Sequence, residues 1–274
     1  MHKIPYIDLP IPYIALTVYF IVCLILFKNR SIKLSRTWFV PIFALYFGLY
    51  FAALFGIFLD GTESSKLLSE NSVLVLICKA FNPKNGIGKV MYGGYFGSIV
   101  GILFANFIAK QKPASILLDI SSISWSAFLA VWRIGCFISG CCYGIPNNTF
   151  GISYPKKTGV FEELQGTALV VGDSTVPLLP TQLISSAGNF AIFLFLLILF
   201  CKNKTRYPYF YFFAQAFLYG LGRFTIEFFR MDPREFWGPL SMSQWLSLVL
   251  VAAGLVFFIK NRKEIVKSVS DKRA

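Results

Sequence analysis

Arg223, Glu227 and Arg230 stand at i, i+4 and i+7 within "GLGRFTIEFFRMDPRE". In a helix, 100° per residue puts all three on one face. They close an apolar run, where an ionisable side chain costs at least about 2.5–3.5 kcal/mol and therefore faces other helices or a wet cavity. One carboxylate cannot neutralise two guanidiniums, so a positive charge is left over. Arginine offers a planar donor fork that fits phosphate in bidentate fashion. Two readings stand side by side: an anion site, or a structural ion pair with Arg230 snorkelling to the interface.

A second constellation is "WRIGCFISGCCYG", Trp132–Gly144, with Arg133, Cys136, Cys141 and Cys142. The spacing C-x4-C-C lacks the paired C-x2-C and the histidine partners of a zinc site. His2 is the chain's one histidine, which argues against histidine-based catalysis and histidine metal sites; no metal and no cofactor is expected. A disulfide of Cys136 with Cys141 or Cys142 fits an oxidising compartment. Buried thiols, or a thiolate nucleophile beside Arg133, are the alternatives. Cys23 and Cys201 sit in or at the end of apolar runs and read as inert small hydrophobes. In "YGGYFGSIVG", Gly93, Gly97 and Gly101 recur every four residues. That is small-xxx-small helix packing, or a place where backbone amides meet a ligand beside Tyr92. Asp119 lies fourteen residues before Arg133. It reads as a structural carboxylate favoured by a helix N-terminus, or as a partner for a nearby base.

The elements that must carry these residues are apolar. Of 274 residues, 56% are hydrophobic, above the about 45–50% of a soluble domain. The excess falls in seven segments, roughly 11–27, 38–59, 88–109, 113–131, 181–200, 207–229 and 242–260. Runs of about 20 apolar residues span a bilayer core as helices, with their backbone bonds satisfied internally. The expected fold is an all-α integral membrane protein. It is a bundle of about seven transmembrane helices in one polytopic domain over 1–274, with small extracytoplasmic caps. Residues 60–87 read as an interfacial segment, and 143–180, polar with strand-prone "TALVV", as a small outer head. No cleavable signal is seen, because the first run is long and lacks a small-residue cleavage site.

The net charge of +13 sits asymmetrically. Fifteen of the 26 basic residues follow the first, third, fifth and seventh segments, with Glu264 and Asp271 as the acids there. The positive-inside rule places the N-terminus outside and the C-terminus in the cytoplasm. The charge is then a topology signal and a match for anionic lipid, and nucleic acid is not expected as a partner. A transporter fits poorly, since no paired discontinuous segments are present.

Taken in order, the motifs resemble the prolipoprotein diacylglyceryl transferase family. "YGGYFG" resembles that family's His-Gly-Gly-Leu stretch. "RIGCFISGCCYG" resembles its signature Arg-Ile-Gly-Asn-Phe-Ile-Asn-Gly-Glu. "PTQL", Pro180–Leu183, resembles Pro-Ser-Gln-Leu, and "RFTIEFFR" resembles Arg-Phe-x-x-Glu-x-x-Arg. The resemblance implies a bacterial plasma (inner) membrane enzyme. It would move the diacylglyceryl group of phosphatidylglycerol, or another anionic phospholipid, onto the lipobox thiol of a preprolipoprotein acceptor. It assigns catalysis to Arg133, Arg223 and Tyr92. Gly93, Gly94, Ser139, Glu227 and Arg230 would join the arginines in holding substrate, with electrostatic stabilisation of the leaving phosphate. The chain departs from the pattern at Tyr92 for histidine, at Cys136 and Ser139 for the two asparagines, at Cys141 for glutamate, and at Ser185 for the glutamate after "PTQL". Those substitutions keep two other functions open: a transferase with another lipid or acceptor, and a non-catalytic protein that binds anionic lipid.

Overall fold

Seven long helices occupy the seven apolar segments. They are α1 (Pro10–Asn29), α2 (Val40–Leu59), α3 (Met91–Ala109), α4 (Ala114–Ser139), α6 (Thr181–Cys201), α7 (Phe210–Glu227) and α8 (Met242–Lys260). A six-residue helix, α5 (Gly159–Leu164), lies between α4 and α6, and α9 (Arg262–Ser270) follows α8. The computed structural model describes residues 10–32, 37–59, 91–109, 113–202, 207–232 and 236–270. The 60–87 segment, His2 and Cys78 lie outside the described residues. Among the described residues, five helices are long and apolar enough to cross a membrane: α1, α3, α4, α6 and α8. The chain is an all-α membrane protein. The expected count of about seven spans is reached in helices, but α7 carries Arg223 and Glu227 and does not reach the apolar content of the other five.

Two of the segment ends that differ from expectation bear on the site. α4 runs on to Ser139 instead of stopping near 131. The sequence reading ended it where Arg133 interrupts the apolar run, yet a buried arginine continues the helix as well as leucine does. α7 stops at Glu227 instead of 229, so Arg230 is not on the helix. It sits in a short extended pairing with Gly144.

Large apolar side chains point away from the protein along several helices, such as Ile14, Ile21 and Ile25 on α1 and Phe190, Phe195 and Ile198 on α6. In water such surfaces aggregate; in hydrocarbon they are at no cost. α4 is the exception, with 83% of its apolar window buried. That burial is what its serines require. Ser122, Ser124 and Ser126 are enclosed, and Ser126 donates back to the Ser122 carbonyl at 3.4 Å.

The chain divides into two compact units. One comprises Phe20–Ser121 with Pro208–Phe212. Its organising contact is α2 against α3, and glycine makes it possible. A Cβ on Gly93, Gly97 or Gly101 would lie 2.4 Å from the carbonyl oxygen of Phe51, Phe47 or Phe43 respectively. Phe104 packs beside Phe43 and Phe47, with ring centroids 5.7 and 5.5 Å away. Asp119 accepts from the Phe212 amide at 2.8 Å. It thereby supplies α7 with an N-terminal carboxylate from another helix, satisfying donors that a helix start leaves open.

The other unit comprises Met1–Tyr19, Ser122–Tyr207 and Phe213–Ala274. Here α6 is tied to α4 by Ser186, whose hydroxyl donates to the Ala130 carbonyl at 2.6 Å. α7 and α8 meet through Phe213 and Phe257, stacked at 4.2 Å. Residues 143–180 form a small head with its own core of Tyr143, Tyr154, Val160, Leu164 and Leu178. Thr158 caps α5. The strands β1 (Val170–Val171) and β2 (Ser174–Thr175) form a hairpin turned by Gly172 at φ 62° and Asp173. A second hairpin, β3 (Phe236–Trp237) with β4 (Leu240–Ser241), leads into α8. Ser241 and Gln244 then start α8 with a reciprocal capping box. α9 buries none of its residues.

Candidate functional site

Helix α4 ends in a way that determines what its last residues can touch. Gly140 adopts φ 69°; its amide bonds to the Phe137 carbonyl at 3.2 Å and the Cys141 amide to the Cys136 carbonyl at 3.1 Å. This six-to-one closure places the third residue from the helix end beside the second residue past it, here Cys136 beside Cys141. A side chain at Gly140 would be strained, and its Cβ would lie 3.0 Å from that of Thr158. Cys142 also takes a left-handed backbone, φ 60°. The result is a knot of three free thiols whose sulfurs all lie within 4.8 Å of one another. Ser139 donates to Cys141 Sγ at 3.5 Å, and Cys141 donates to the Cys136 carbonyl at 3.7 Å.

The "PTQL" stretch holds this loop. Thr181 Oγ1 donates to the Cys142 carbonyl at 2.5 Å. Gln182 Nε2 donates to the Cys141 carbonyl at 2.6 Å, and Tyr154 in turn donates to Gln182 Oε1 at 3.1 Å. The chain then threads between two neighbours. Gly144 bonds to the Leu179 carbonyl, Ile145 to the Phe229 carbonyl, and the Met231 amide to the Tyr143 carbonyl, all at 3.0 Å. A Cβ at Gly144 would meet the Leu179 and Phe229 oxygens at 2.7 Å each. Three motifs far apart in sequence therefore meet through their backbones.

Against this loop lie the arginines. Glu227 is buried and accepts from Arg223, from Arg230 at 3.3 Å and from Ser241 Oγ at 2.9 Å. Arg223 also donates to Ser243 Oγ at 3.1 Å. Arg230 grips Asp232 with two bonds, 2.9 and 2.5 Å. Arg133 is 7% exposed. Among the described residues, no hydrogen bond or ion pair holds its guanidinium. Its electrostatic neighbours are Cys136, Cys142, Tyr219 and Arg230. Three guanidiniums thus face two carboxylates, Glu227 and Asp232, which leaves Arg133 without a carboxylate among the described residues. Within the loop, the Cys142 thiol is held well below its usual range by the sulfurs of Cys136 and Cys141, and further by Arg230 and Arg133. Cys141 is pushed up by the same sulfurs.

The arrangement brings together Arg133, Cys136, Ser139, Cys141, Cys142, Arg223, Glu227 and Arg230 in one unit. Arg230 reaches Glu227 from the chain after α7, so the i, i+4, i+7 helical face is corrected to a helix-plus-turn arrangement. Tyr92, Gly93 and Gly94 belong to the other unit. Tyr92 is buried there at 2% exposure, Gly93 is taken up by α2, and the Gly94 carbonyl lies against Gly48. Sequence reading missed Asp232, Ser241, Ser243 and Gln182 as members of the site. Asp232 stands two residues from Arg230, a signal available in "RMDPRE". Ser241 and Ser243 reach Glu227 and Arg223 from the start of a later helix, and nothing local in the sequence announces that.

The fold and the site define a polytopic membrane protein with a buried cluster of three guanidiniums and two carboxylates. The chain belongs to the prolipoprotein diacylglyceryl transferase family, whose model matches residues 72–260. It is 33% identical over 184 residues to phosphatidylglycerol–prolipoprotein diacylglyceryl transferase 2 of Clostridium perfringens, covering 65% of this chain and 66% of that protein. It is 32% identical over 176 residues to the phosphatidylglycerol–prolipoprotein diacylglyceryl transferase of Clostridium tetani, covering 63% and 64%. The protein of that name from Tolumonas auensis is 38% identical over 184 residues, covering 64% and 66%. The matches span slightly less than two thirds of these relatives' lengths.

Proposed function

We propose that this chain transfers the diacylglyceryl group of phosphatidylglycerol to the lipobox cysteine of a preprolipoprotein. The observation that carries the reading is Arg133, buried and without an ion-pair partner among the described residues, in a cluster of three guanidiniums and two carboxylates. A buried charge left unpaired is costly unless a ligand pairs it. A phosphodiester head group does so with the geometry a guanidinium favours. In the reaction, the acceptor thiolate attacks the glyceryl carbon that carries the phosphate. A C–S bond forms, the C–O bond breaks, and its electron pair leaves on glycerol phosphate. Charge grows on the departing phosphate oxygen, where a preorganised cation is worth most. Arg133 and Arg223 are the proposed catalytic donors. Glu227 and Arg230 set their positions, with Ser139 lining the site. The acceptor's thiol must give up its proton to attack; Tyr92, at the family's histidine position, is proposed from the motif alone to accept it, and Gly93 and Gly94 to bind substrate.

The basic loops support an N-terminus outside and a C-terminus in the cytoplasm of a bacterial plasma membrane, with 60–87 and 143–180 as outer caps. Reporter fusions at the two ends test this, since a periplasm-active reporter at the C-terminus would give signal only if the assignment is wrong. The thiols at the signature's asparagine and glutamate positions favour a second reading, in which the same site serves another acceptor or binds anionic lipid without turnover. Complementation decides between them. The first reading requires this chain to restore lipoprotein modification in cells depleted of their own enzyme. Failure of a stably expressed chain to do so rejects that acceptor. Phosphatidylglycerol left unconsumed by the purified chain with every thiol tried rejects the transferase reading.

A further inference from the structure

We infer that Cys136, Cys141 and Cys142 form a three-thiolate site for one soft d10 metal ion, of the class of monovalent copper, zinc and cadmium. The sequence spacing gives no such signal, because the donors come from a helix end that folds back on itself. The six-to-one closure at Gly140 puts Cys136 against Cys141, and the left-handed backbone of Cys142 returns a third sulfur to the same point. All three sulfurs lie within 4.8 Å of one another. A zinc–sulfur bond of about 2.3 Å spaces two ligands of one ion about 4 Å apart, so side-chain rotations that draw the sulfurs together by at most about 0.8 Å close the site. The carbonyls of Cys141 and Cys142 are pinned by Gln182 and Thr181, so the loop is held in place before a metal arrives. Ser139 donates to the Cys141 sulfur at 3.5 Å, the outer hydrogen bond that orients a ligand.

Ligand type sets the class. Thiolates without imidazole or carboxylate select copper(I), zinc and their heavier analogues over calcium, magnesium or manganese. Charge points the same way. Three thiolates around a monovalent or divalent ion leave a complex of two or one negative charges. Arg133 and Arg230 interact electrostatically with Cys142 and offset that residue of charge. Access is through Cys141, which is exposed, while Cys136 is buried behind it.

The test is metal binding by the full chain in detergent, fully reduced with a thiol-free reductant and with no lipid substrate present. Cadmium(II) is titrated and followed by its ultraviolet sulfur-to-metal charge-transfer band; copper(I) is titrated against a coloured chelator. The expected result is one equivalent of each metal. Cys136→Ser, Cys141→Ser and Cys142→Ser should each weaken binding by at least about tenfold, the lower end of what loss of even an outer-shell partner costs. Cys23→Ser and Cys201→Ser should leave it unchanged. Absence of the band, or stoichiometric binding that survives Cys141→Ser and Cys142→Ser, overturns the site. If a variant fails to fold, the wild-type chain still decides: bound cadmium must slow maleimide labelling of Cys141 and leave that of Cys201 unaffected, and equal labelling of Cys141 with and without cadmium overturns the proposal. Lipid transfer is not a readout, so failure of the proposed reaction leaves this result standing on its own.

Discussion

Glu227 is the single carboxylate that serves two buried guanidiniums, and its removal has a calculable cost. In Glu227→Gln the side chain keeps its shape and one acceptor. The charge that faces Arg223 and Arg230 is gone, and one carboxylate, Asp232, is left to the three guanidiniums. Arg230 retains Asp232, and Arg223 retains the neutral hydroxyl of Ser243. Breaking a buried pair by removing one partner costs about 3–5 kcal/mol, because a desolvated charge remains. For a chain of this length each kcal/mol moves the melting midpoint by about 2–4 °C, so the expected drop is on the order of 10 °C. The assay is thermal unfolding in one detergent, followed by tryptophan fluorescence. Arg223→Gln and the double variant complete a cycle. Removing both charges relieves the orphaned guanidinium, so the double variant should be less destabilised than the sum of the singles by about 0.5–3 kcal/mol. A Glu227→Gln midpoint within 2 °C of wild type, or strict additivity, refutes the claim that this carboxylate neutralises a buried pair.

Arg133→Lys and Arg223→Lys should each weaken phosphatidylglycerol binding in reconstituted vesicles by about tenfold or more, since lysine keeps the charge and loses the planar fork; wild-type affinity in both removes the anion site. Gly97→Ala introduces a Cβ 2.4 Å from the Phe47 oxygen and 2.5 Å from the Phe51 Cβ. It should therefore destabilise the α2–α3 pair by about 1–3 kcal/mol in a melting experiment. Gly140→Ala should cost about 1–2 kcal/mol from its left-handed backbone and should also loosen the thiol knot, read as faster maleimide labelling of Cys136. Burial pushes the Tyr154 phenol up to about 12 from its usual 10. Its stabilising effect is whole below pH 10 and is lost as pH rises toward 12, where only the unfolded chain has already ionised. Alkaline unfolding of Tyr154→Phe should show a shallower pH slope than wild type, and an identical slope contradicts the assignment.

The seven helices were legible because a bilayer demands long apolar runs, and "GxxxGxxxG" in α3 was legible as one packing option because only glycine fits where an added Cβ would lie 2.4 Å from a neighbouring carbonyl oxygen. Asp119 reads as an N-terminal-turn carboxylate of its own helix; the structure corrects this, since it lies more than a turn inside α4 and accepts from the start of α7. The end of α4 was misplaced because a charged residue in an apolar run reads as a boundary whether or not tertiary contacts bury it; that of α7 was carried too far because its periodicity gives no sign of the pairing of Arg230 with Gly144. Arg223 and Glu227 announced themselves as charges where charge is expensive. Ser241, Ser243 and Gln182 did not, because neutral polar residues carry no such penalty signal and reach the site only through tertiary folding. The thiol knot was not legible as a cluster. The spacing C-x4-C-C suggests at most a local disulfide, and the convergence of three sulfurs depends on the helix closure at Gly140 and on the positive φ of Cys142, both tertiary outcomes.

The most direct measurement is turnover by the purified chain in vesicles containing phosphatidylglycerol labelled in its glycerol head group, with a lipobox peptide as acceptor. Transfer predicts glycerol phosphate released in step with a thioether-linked diacylglyceryl peptide, and loss of both products in Arg133→Lys. Phosphatidylglycerol that binds wild type yet yields neither product over long incubation, or equal release with a peptide whose cysteine is replaced by serine, contradicts the proposed reaction.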